Sequence, residues 1–505
     1  MNQKQLIEMQ TKRGAKLIGG TGESVTKSLD TVITECRKSI EEQSDKYRDL
    51  NPVEKKEVLK QIIINYIMIN KPLVPDYVDA ENRPDTLKLI DKLVESITDY
   101  DILTTPMTDP RVYEIRANCK EIKIEIEGKI QDLKDKDGNI VSFTSVEQQE
   151  IILRKLLGTT RLTPKDQLVS ASTIEGFRIA AVHNTAISVD PQNPTGDKYH
   201  AFVLRKFRES KMDLSTIVHD YKTMSDNMAR LLALAPAGGL TFFTVGPTAS
   251  GKTTTNNAIL KSVPSTTRTI LAQNPSEIDL RFKDASGRVY NDVLHLEAHE
   301  VENPSPMDAT MENIMNHILR LSPTFVCFGE LRSNKEFKTG MKIMQAGHPI
   351  NCTYHSESSA GGIGRYLTAY LAESGNEPSH LALRTLTDLV HMIIVQKIMR
   401  DGTRKIIQIS EVIGVDPENR EQALLNDLYV FDIDQEPVYN DNGEIIEIRG
   451  THKRVGKLSD RMIRKFKLEG VAQRRFDFLL DEPNEAEVES YTGRDIDEYH
   501  IKEKY

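Results

Sequence analysis

Apolar positions change period along this chain, and each change marks a segment. Up to about residue 95, Leu, Ile and Val recur at helical spacing among Glu and Lys, as in NPVEKKEVLKQIIINYIMIN, where Pro52 can open a helix at its first turn. The spacing predicts a helical extension over 1–95. From about 100 to 210 the period shortens to two: EIKIEIEGKI places Ile122, Ile124 and Ile126 on one face, charges on the other, and a turn at Gly128. This predicts a half-buried sheet in a mixed α/β domain over 96–210. Residues 211–235 read as a polar linker and a first helix. Beyond Pro236, buried strand, loop and helix alternate to about residue 415, so an α/β core with a parallel sheet is expected over 236–430. Residues 431–505 read as an appendage: a hairpin around Asn440–Gly443, a basic helix and an acidic tail. No internal repeat of solenoid period is present.

With 505 residues the chain has room for roughly three domains. Hydrophobic residues make up 38% and charged residues 28%, which excludes wholesale disorder. The formal net charge is −9, and the stretch Asp481–Tyr505, with nine acids against three bases, supplies −6 of it. The remainder is nearly balanced and lacks the basic field of a protein that works directly on nucleic acid. No direct nucleic-acid partner is therefore expected. Cys36, Cys119, Cys327 and Cys352 are far apart, with no C-x-x-C pair, so neither a disulfide framework nor a zinc site is encoded. The N-terminus has no apolar signal core, and the apolar cluster Ile62–Ile69 is interrupted by Asn65 and too short for a bilayer. A cytoplasmic protein is expected.

The strongest chemical signal is LTFFTVGPTASGKTTTNNAIL: an apolar strand, then Gly246, Pro247, Thr248, Ala249, Ser250, Gly251, Lys252 and Thr253 as G-x-x-x-x-G-K-T, then Thr254 in a helix ended by Pro264. Such glycines let backbone N–H groups and the helix N-terminus face phosphate oxygens. Lys252 supplies a point charge to the β- and γ-phosphates, and the Thr253 hydroxyl can ligate Mg²⁺. ATP with Mg²⁺ is the expected cofactor pair.

A second apolar run, PTFVCFGELR, ends at Gly329 and Glu330. A parallel strand beside the first would carry Glu330 to the carboxyl edge of the sheet, where it could hold Mg²⁺ or polarise the attacking water. AGHPINCTYHSESS then brackets another short strand with His348 and His355, either of which could be structural or catalytic.

Taken in order, these motifs resemble the secretion ATPases of the type II/type IV secretion superfamily, above all the CpaF-like ATPases of Tad pili and the traffic ATPases of conjugation systems, with PilT and GspE as relatives. The resemblance runs from about Tyr100 to Phe476. A Walker A loop, an acidic "Asp box", a Walker B strand ending in Gly-Glu and a "His box" look like Gly246–Thr254, Arg268–Ile278, Leu319–Arg332 and Ala346–His355. It implies a RecA-like P-loop domain behind a PAS-like N-terminal domain. It also implies a homo-hexamer at the inner face of the membrane, working with platform or secretion-channel proteins and powering pilus assembly or secretion. His355 is implied as catalytic. IEGFRIAAVH and AFVLRKF are similar to the family's N-terminal text and nominate Arg178 and Arg205 as arginines that reach the nucleotide phosphates.

The chain departs from the family at the Asp box. Where I-E-D-x-x-E is usual, it reads Ala272-Gln273-Asn274-Pro275-Ser276-Glu277, so an amide stands in place of the carboxylate implied to activate water. Gln273 can orient a water but cannot take its proton; Glu277 and Glu330 remain for that. This motivates a second expectation, an ATP-binding scaffold with little hydrolysis; a DNA translocase is a third. Thr324 stands where the family commonly has Asp. The stretch 452–476, with nine Lys/Arg against two acids, is either a solvated basic helix or a docking face for an anionic membrane or a partner.

Overall fold

The computed structural model describes residues 26–43, 52–78, 84–126, 129–158, 160–188, 198–206, 212–274, 277–298, 305, 307–483 and 489–493. The turn expected at Gly128, the first 25 residues of the helical extension and most of the acidic tail lie outside them. The chain divides into two compact units, Met1–Glu209 and Ser210–Tyr505.

The first unit has two cores. Helices Leu29–Glu41, Pro52–Asn70 and Thr86–Thr98 pack Val32, Cys36, Ile63, Leu89, Leu93 and Ile97 together, as the helical spacing predicts, and Pro52 stands at a helix start. The second core lies on one face of an antiparallel sheet formed by β1 (Val112–Asn118), β2 (Glu121–Ile126), β3 (Lys129–Asp132), β4 (Leu168–Ser172), β5 (Arg178–Val182) and β6 (Ala201–Arg205), in the order β3-β2-β1-β6-β5-β4. Alternation decides which residues enter it: Ile122 and Ile124 are buried, whereas Lys123 and Glu125 lie on the opposite face. Helix Val146–Leu157 packs Ile152, Leu153 and Leu156 against this core. Its buried Gln149 donates to the carbonyls of Cys119 and His200 and accepts from His200 N–H, so the amide is satisfied at 2.7–3.0 Å.

In the second unit nine strands form one sheet: β7 (Phe242–Val245), β8 (Thr269–Gln273), β9 (Val293–Glu297), β10 (Phe325–Phe328), β11 (Ile350–Tyr354), β12 (Met392–Ile398), β13 (Arg404–Val415), β14 (Ala423–Asp432) and β17 (Thr451–Arg454). Their order is β17-β14-β13-β12-β7-β11-β10-β8-β9. The six strands from β12 to β9 run parallel, and β13, β14 and β17 extend the sheet beyond β12, each antiparallel to the strand before it. β7 and β10 are buried at every position because both sheet faces are covered. From β7 the chain crosses to the β8 side and later returns to lay β12 on the other flank, which leaves a crevice at the carboxyl end of β7.

Past residue 430 the structure differs from the expected appendage. β15 (Val438–Tyr439) and β16 (Ile445–Glu447) form the predicted hairpin, with Gly443 at φ +78° in its turn. β17, however, belongs to the main sheet, and helix Asp460–Leu468 buries Met462 and Phe466 in its core. The inward positions of β17 are His452 and Arg454, so no apolar alternation announced it. Several bases of the 452–476 stretch are structural: Arg461 donates to the carbonyls of Thr387, Val412 and Asp388, and Arg454 to those of Phe478 and Asp481. Residues 489–493 lie back along the unit. The Asp226 carboxylate accepts from Ser490 Oγ, Thr492 N–H and Gly493 N–H at 2.5–2.9 Å, and Tyr491 Oη meets His452 Nδ1 at 2.8 Å. No helix among the described residues is long and apolar enough to cross a membrane.

Candidate nucleotide site

The loop Gly246–Gly251 joins β7 to helix Lys252–Leu260 at the crevice. A side chain at Gly246 would collide with the Gln396 carbonyl oxygen, and a Cβ at Gly251, whose φ is +88°, would lie 2.9 Å from Arg404 Cδ. Both positions require glycine. The helices that begin at Leu214, Asp226, Met311, Asn334, Ser359 and Asp460 are each capped by a Ser, Thr or Asp side chain. The loop helix starts from Gly251, which has no side chain to offer, so its first amides stay open to an anion.

Lys252 is buried and donates from Nζ to the carbonyls of Gly246 (2.9 Å) and Pro247 (2.8 Å). Burial pushes its ammonium below the ordinary lysine value, and the negative charge of Glu330 offsets part of that shift. A desolvated cation under a ring of backbone amides is the donor set a polyphosphate needs, and the loop fits that ligand. Thr248 and Ala249 stand exposed on the loop, Ser250 Oγ donates to the Pro247 carbonyl at 2.8 Å, and Thr253 and Thr254 are half-buried in the first turn of the helix. Thr253 and Glu330 are the residues present that suit Mg²⁺.

Parallel pairing brings the second motif to the first. β10 pairs with β11 and β11 with β7, so Glu330 and His355 leave neighbouring strand ends beside Gly246. His355 donates from Nδ1 to the Gly246 carbonyl at 3.2 Å, and its Nε2 lies 3.3 Å from Glu330 Oε1. Arg332 Nε donates to Glu330 Oε2 at 2.7 Å. Thr353 Oγ1 fastens the Gly329 carbonyl at 2.7 Å and so fixes the backbone that carries Glu330. Behind the loop, Asn256 of the loop helix and Asn351 of β11 exchange amide hydrogen bonds of 2.6 and 3.0 Å in the buried core. His348 lies at the opposite end of β11, so of the two histidines only His355 reaches the loop.

The Asp-box residues are used differently. Gln273, 1% exposed, accepts at Oε1 from the N–H groups of Glu277 (2.9 Å) and Ile278 (2.7 Å) and donates from Nε2 to the Ile278 carbonyl (3.0 Å). Its amide closes the turn that follows β8. Glu277 is exposed beyond that turn; Pro275 and Ser276 lie outside the described residues. Arg178 and Arg205 belong to the first unit, where they face each other as a ladder pair of β5 and β6. Arg205 Nε lies 3.7 Å from Glu114 Oε2, and Glu114 is also paired with Arg116.

Sequence reasoning missed Arg332, Gln396, Arg404 and the Asn256–Asn351 pair. Arg332 stood in the quoted GELR, two residues from Glu330. Asn256 and Asn351 stood in the quoted strand–loop–helix and histidine motifs, but nothing local pairs them; Gln396 and Arg404 come from strands far along the chain and carry no local signal.

A parallel-core α/β sheet with this loop, lysine and acidic strand end defines a P-loop nucleotide-binding protein. Its family is equally definite: residues 117–466 match the family described as "Type II/IV secretion system protein", and the chain belongs to it. Among curated proteins it is similar to an uncharacterized protein of Methanocaldococcus jannaschii, 25% identical over 249 residues, which covers 49% of this chain and 40% of that protein. It is also similar to Type II secretion system protein E of Pseudomonas aeruginosa, 28% identical over 178 residues, 34% of this chain and 31% of that one. The chain thus spans well under half the length of both. Among solved structures, the Legionella pneumophila ATPase DotB is 19% identical with a TM-score of 0.42, covering 63% of this chain and 81% of that one.

Proposed function

We propose that this chain is an ATP-driven motor of a secretion or pilus-assembly machine. The carrying observation is the convergence of Lys252, Glu330 and His355 on the Gly246 end of the phosphate loop. The loop amides and Lys252 hold the phosphates, and Glu330 polarises the water that attacks the γ-phosphate in line. Mg²⁺ bound at Thr253 and Glu330 would neutralise charge on the phosphates. His355 bridges Glu330 and the loop, so that the carboxylate keeps its position as charge develops. The membership of the secretion family supports a homo-hexamer in the cytoplasm, docked under membrane platform or channel proteins. The six-stranded antiparallel sheet with a helix on one face supports the PAS-like reading of the first unit. Arg178 and Arg205, paired at one end of that sheet, are read as its phosphate-sensing arginines; alanine at either should lower turnover more than ADP binding, and equal losses would refute the role.

One observation favours a second reading, a nucleotide-gated scaffold with little hydrolysis: an amide stands at Gln273 and bonds within its own turn. Steady-state ATPase measurement on the purified chain with Mg²⁺, alongside direct ATP binding, separates the two. Turnover that Lys252→Ala removes supports the motor. Binding without turnover selects the scaffold, and no binding refutes both.

A further inference from the structure

Ala249 is the one non-glycine residue of the loop 246–251 with positive φ, at +63°, a left-handed backbone that alanine adopts at a cost. Something must hold it there. On the outer side of the loop, Arg404 Nε donates to the Ala249 carbonyl at 3.1 Å, and the same side chain walls off Gly251. Arg404 is well placed for this because it is the first residue of β13, directly after a tight turn. In that turn Asp401 Oδ1 accepts from Thr403 N–H and Oγ1 at 2.9 and 2.7 Å, and Asp401 Oδ2 accepts from Ile448 N–H at 2.7 Å. Gln396, 1% exposed, completes the wall: its Nε2 is 3.0 Å from where a Gly251 Cβ would be, and its Oε1 has no hydrogen-bond partner. Lys252 and His355 grip the Gly246 end of the loop; Arg404 grips the other.

We propose that Arg404 is a positioning residue of the phosphate loop, holding Ala249 in its left-handed conformation so that the loop amides are aligned before a nucleotide binds. The inference rests on the reading of 246–254 as the phosphate site. Its benefit is preorganisation: a loop already ordered loses less conformational freedom on binding. Arg404 touches the loop carbonyl and acts through it.

The test is a double-mutant cycle on the full chain, read as the dissociation constant of Mg²⁺-ADP by calorimetry, with thermal unfolding to verify that each variant is folded. Arg404→Ala should weaken binding about tenfold. Ala249→Gly removes the cost of the left-handed backbone, so in that background Arg404→Ala should cost less than about threefold. A residue that acts only through its charge on the phosphates would give equal losses in both backgrounds, and that result overturns the proposal. So does undiminished binding in Arg404→Ala. If the unmutated chain fails to bind Mg²⁺-ADP, the phosphate-site reading falls and the inference with it.

Discussion

Two strand ends at the same edge of one sheet are put to opposite uses. At the ends of β10 and β11, Glu330 and His355 turn toward the loop after β7: His355 bonds the Gly246 carbonyl and meets Glu330, whose other carboxylate oxygen accepts from Arg332 two residues on. At the end of β8, next to β10 in the ladder, the Gln273 amide turns back on its own chain and satisfies three backbone groups within five residues. An edge position alone therefore does not decide which groups a side chain meets. What separates the two is where the side chain finds partners: His355 ties Glu330 to the phosphate loop, whereas the Gln273 amide closes its own turn.

Mutations can sharpen this contrast, and the largest effect belongs to the loop itself. Lys252→Ala should abolish nucleotide binding and turnover together, because Lys252 is the cation the loop holds against its own carbonyls; calorimetry with Mg²⁺-ATP and a turnover assay read both. Glu330→Gln keeps the shape and loses the charge: turnover should fall about 100-fold while binding stays within about tenfold. Unchanged turnover would make Glu330 as local a residue as Gln273.

Next comes Gln273→Glu, which distinguishes a missing base from a structural amide. A glutamate keeps the two acceptor contacts but sets a buried carboxylate oxygen against the Ile278 carbonyl where an N–H donated. Thermal and denaturant unfolding should show a loss of about 1–3 kcal/mol, with no gain in turnover. A faster enzyme of undiminished stability would show that the turn tolerates a carboxylate there and that the site was short of one. The smallest effect is expected at exposed Glu277: Glu277→Gln should leave turnover within about twofold of the parent, and a large loss would move the working base to the end of β8.

What the sequence could reveal follows from how local each contact is. The phosphate loop is written in eight consecutive residues whose glycines and lysine have no other common use, so it was legible. The helix starts at Pro52, the Ile122–Ile124 face and the Asn440–Gly443 hairpin were legible for the same reason. The choice of His355 over His348 depended on the β10–β11 and β11–β7 registers, which no local pattern encodes. Arg404 reaches Ala249 across 155 residues, and β17 hides its membership of the sheet by burying His452 and Arg454 in place of aliphatic side chains. Gln273 closes its turn through backbone groups, contacts that no comparison of side-chain types registers.

The carboxylate of Asp226 also has a meaning in time. Its partners at Ser490, Thr492 and Gly493 lie 264–267 residues further along the chain. At the usual pace of synthesis, about 5–20 residues per second, they emerge roughly 13–50 s after it. The central strand β7 waits in the same way for β11 and β12 to cover its two edges. The second unit therefore spends its nascent life with apolar strand edges unpaired while the first unit, already complete, can fold behind it. Contacts of such long sequence separation make closure slow, so the danger of aggregation falls on the second unit while the ribosome is still at work.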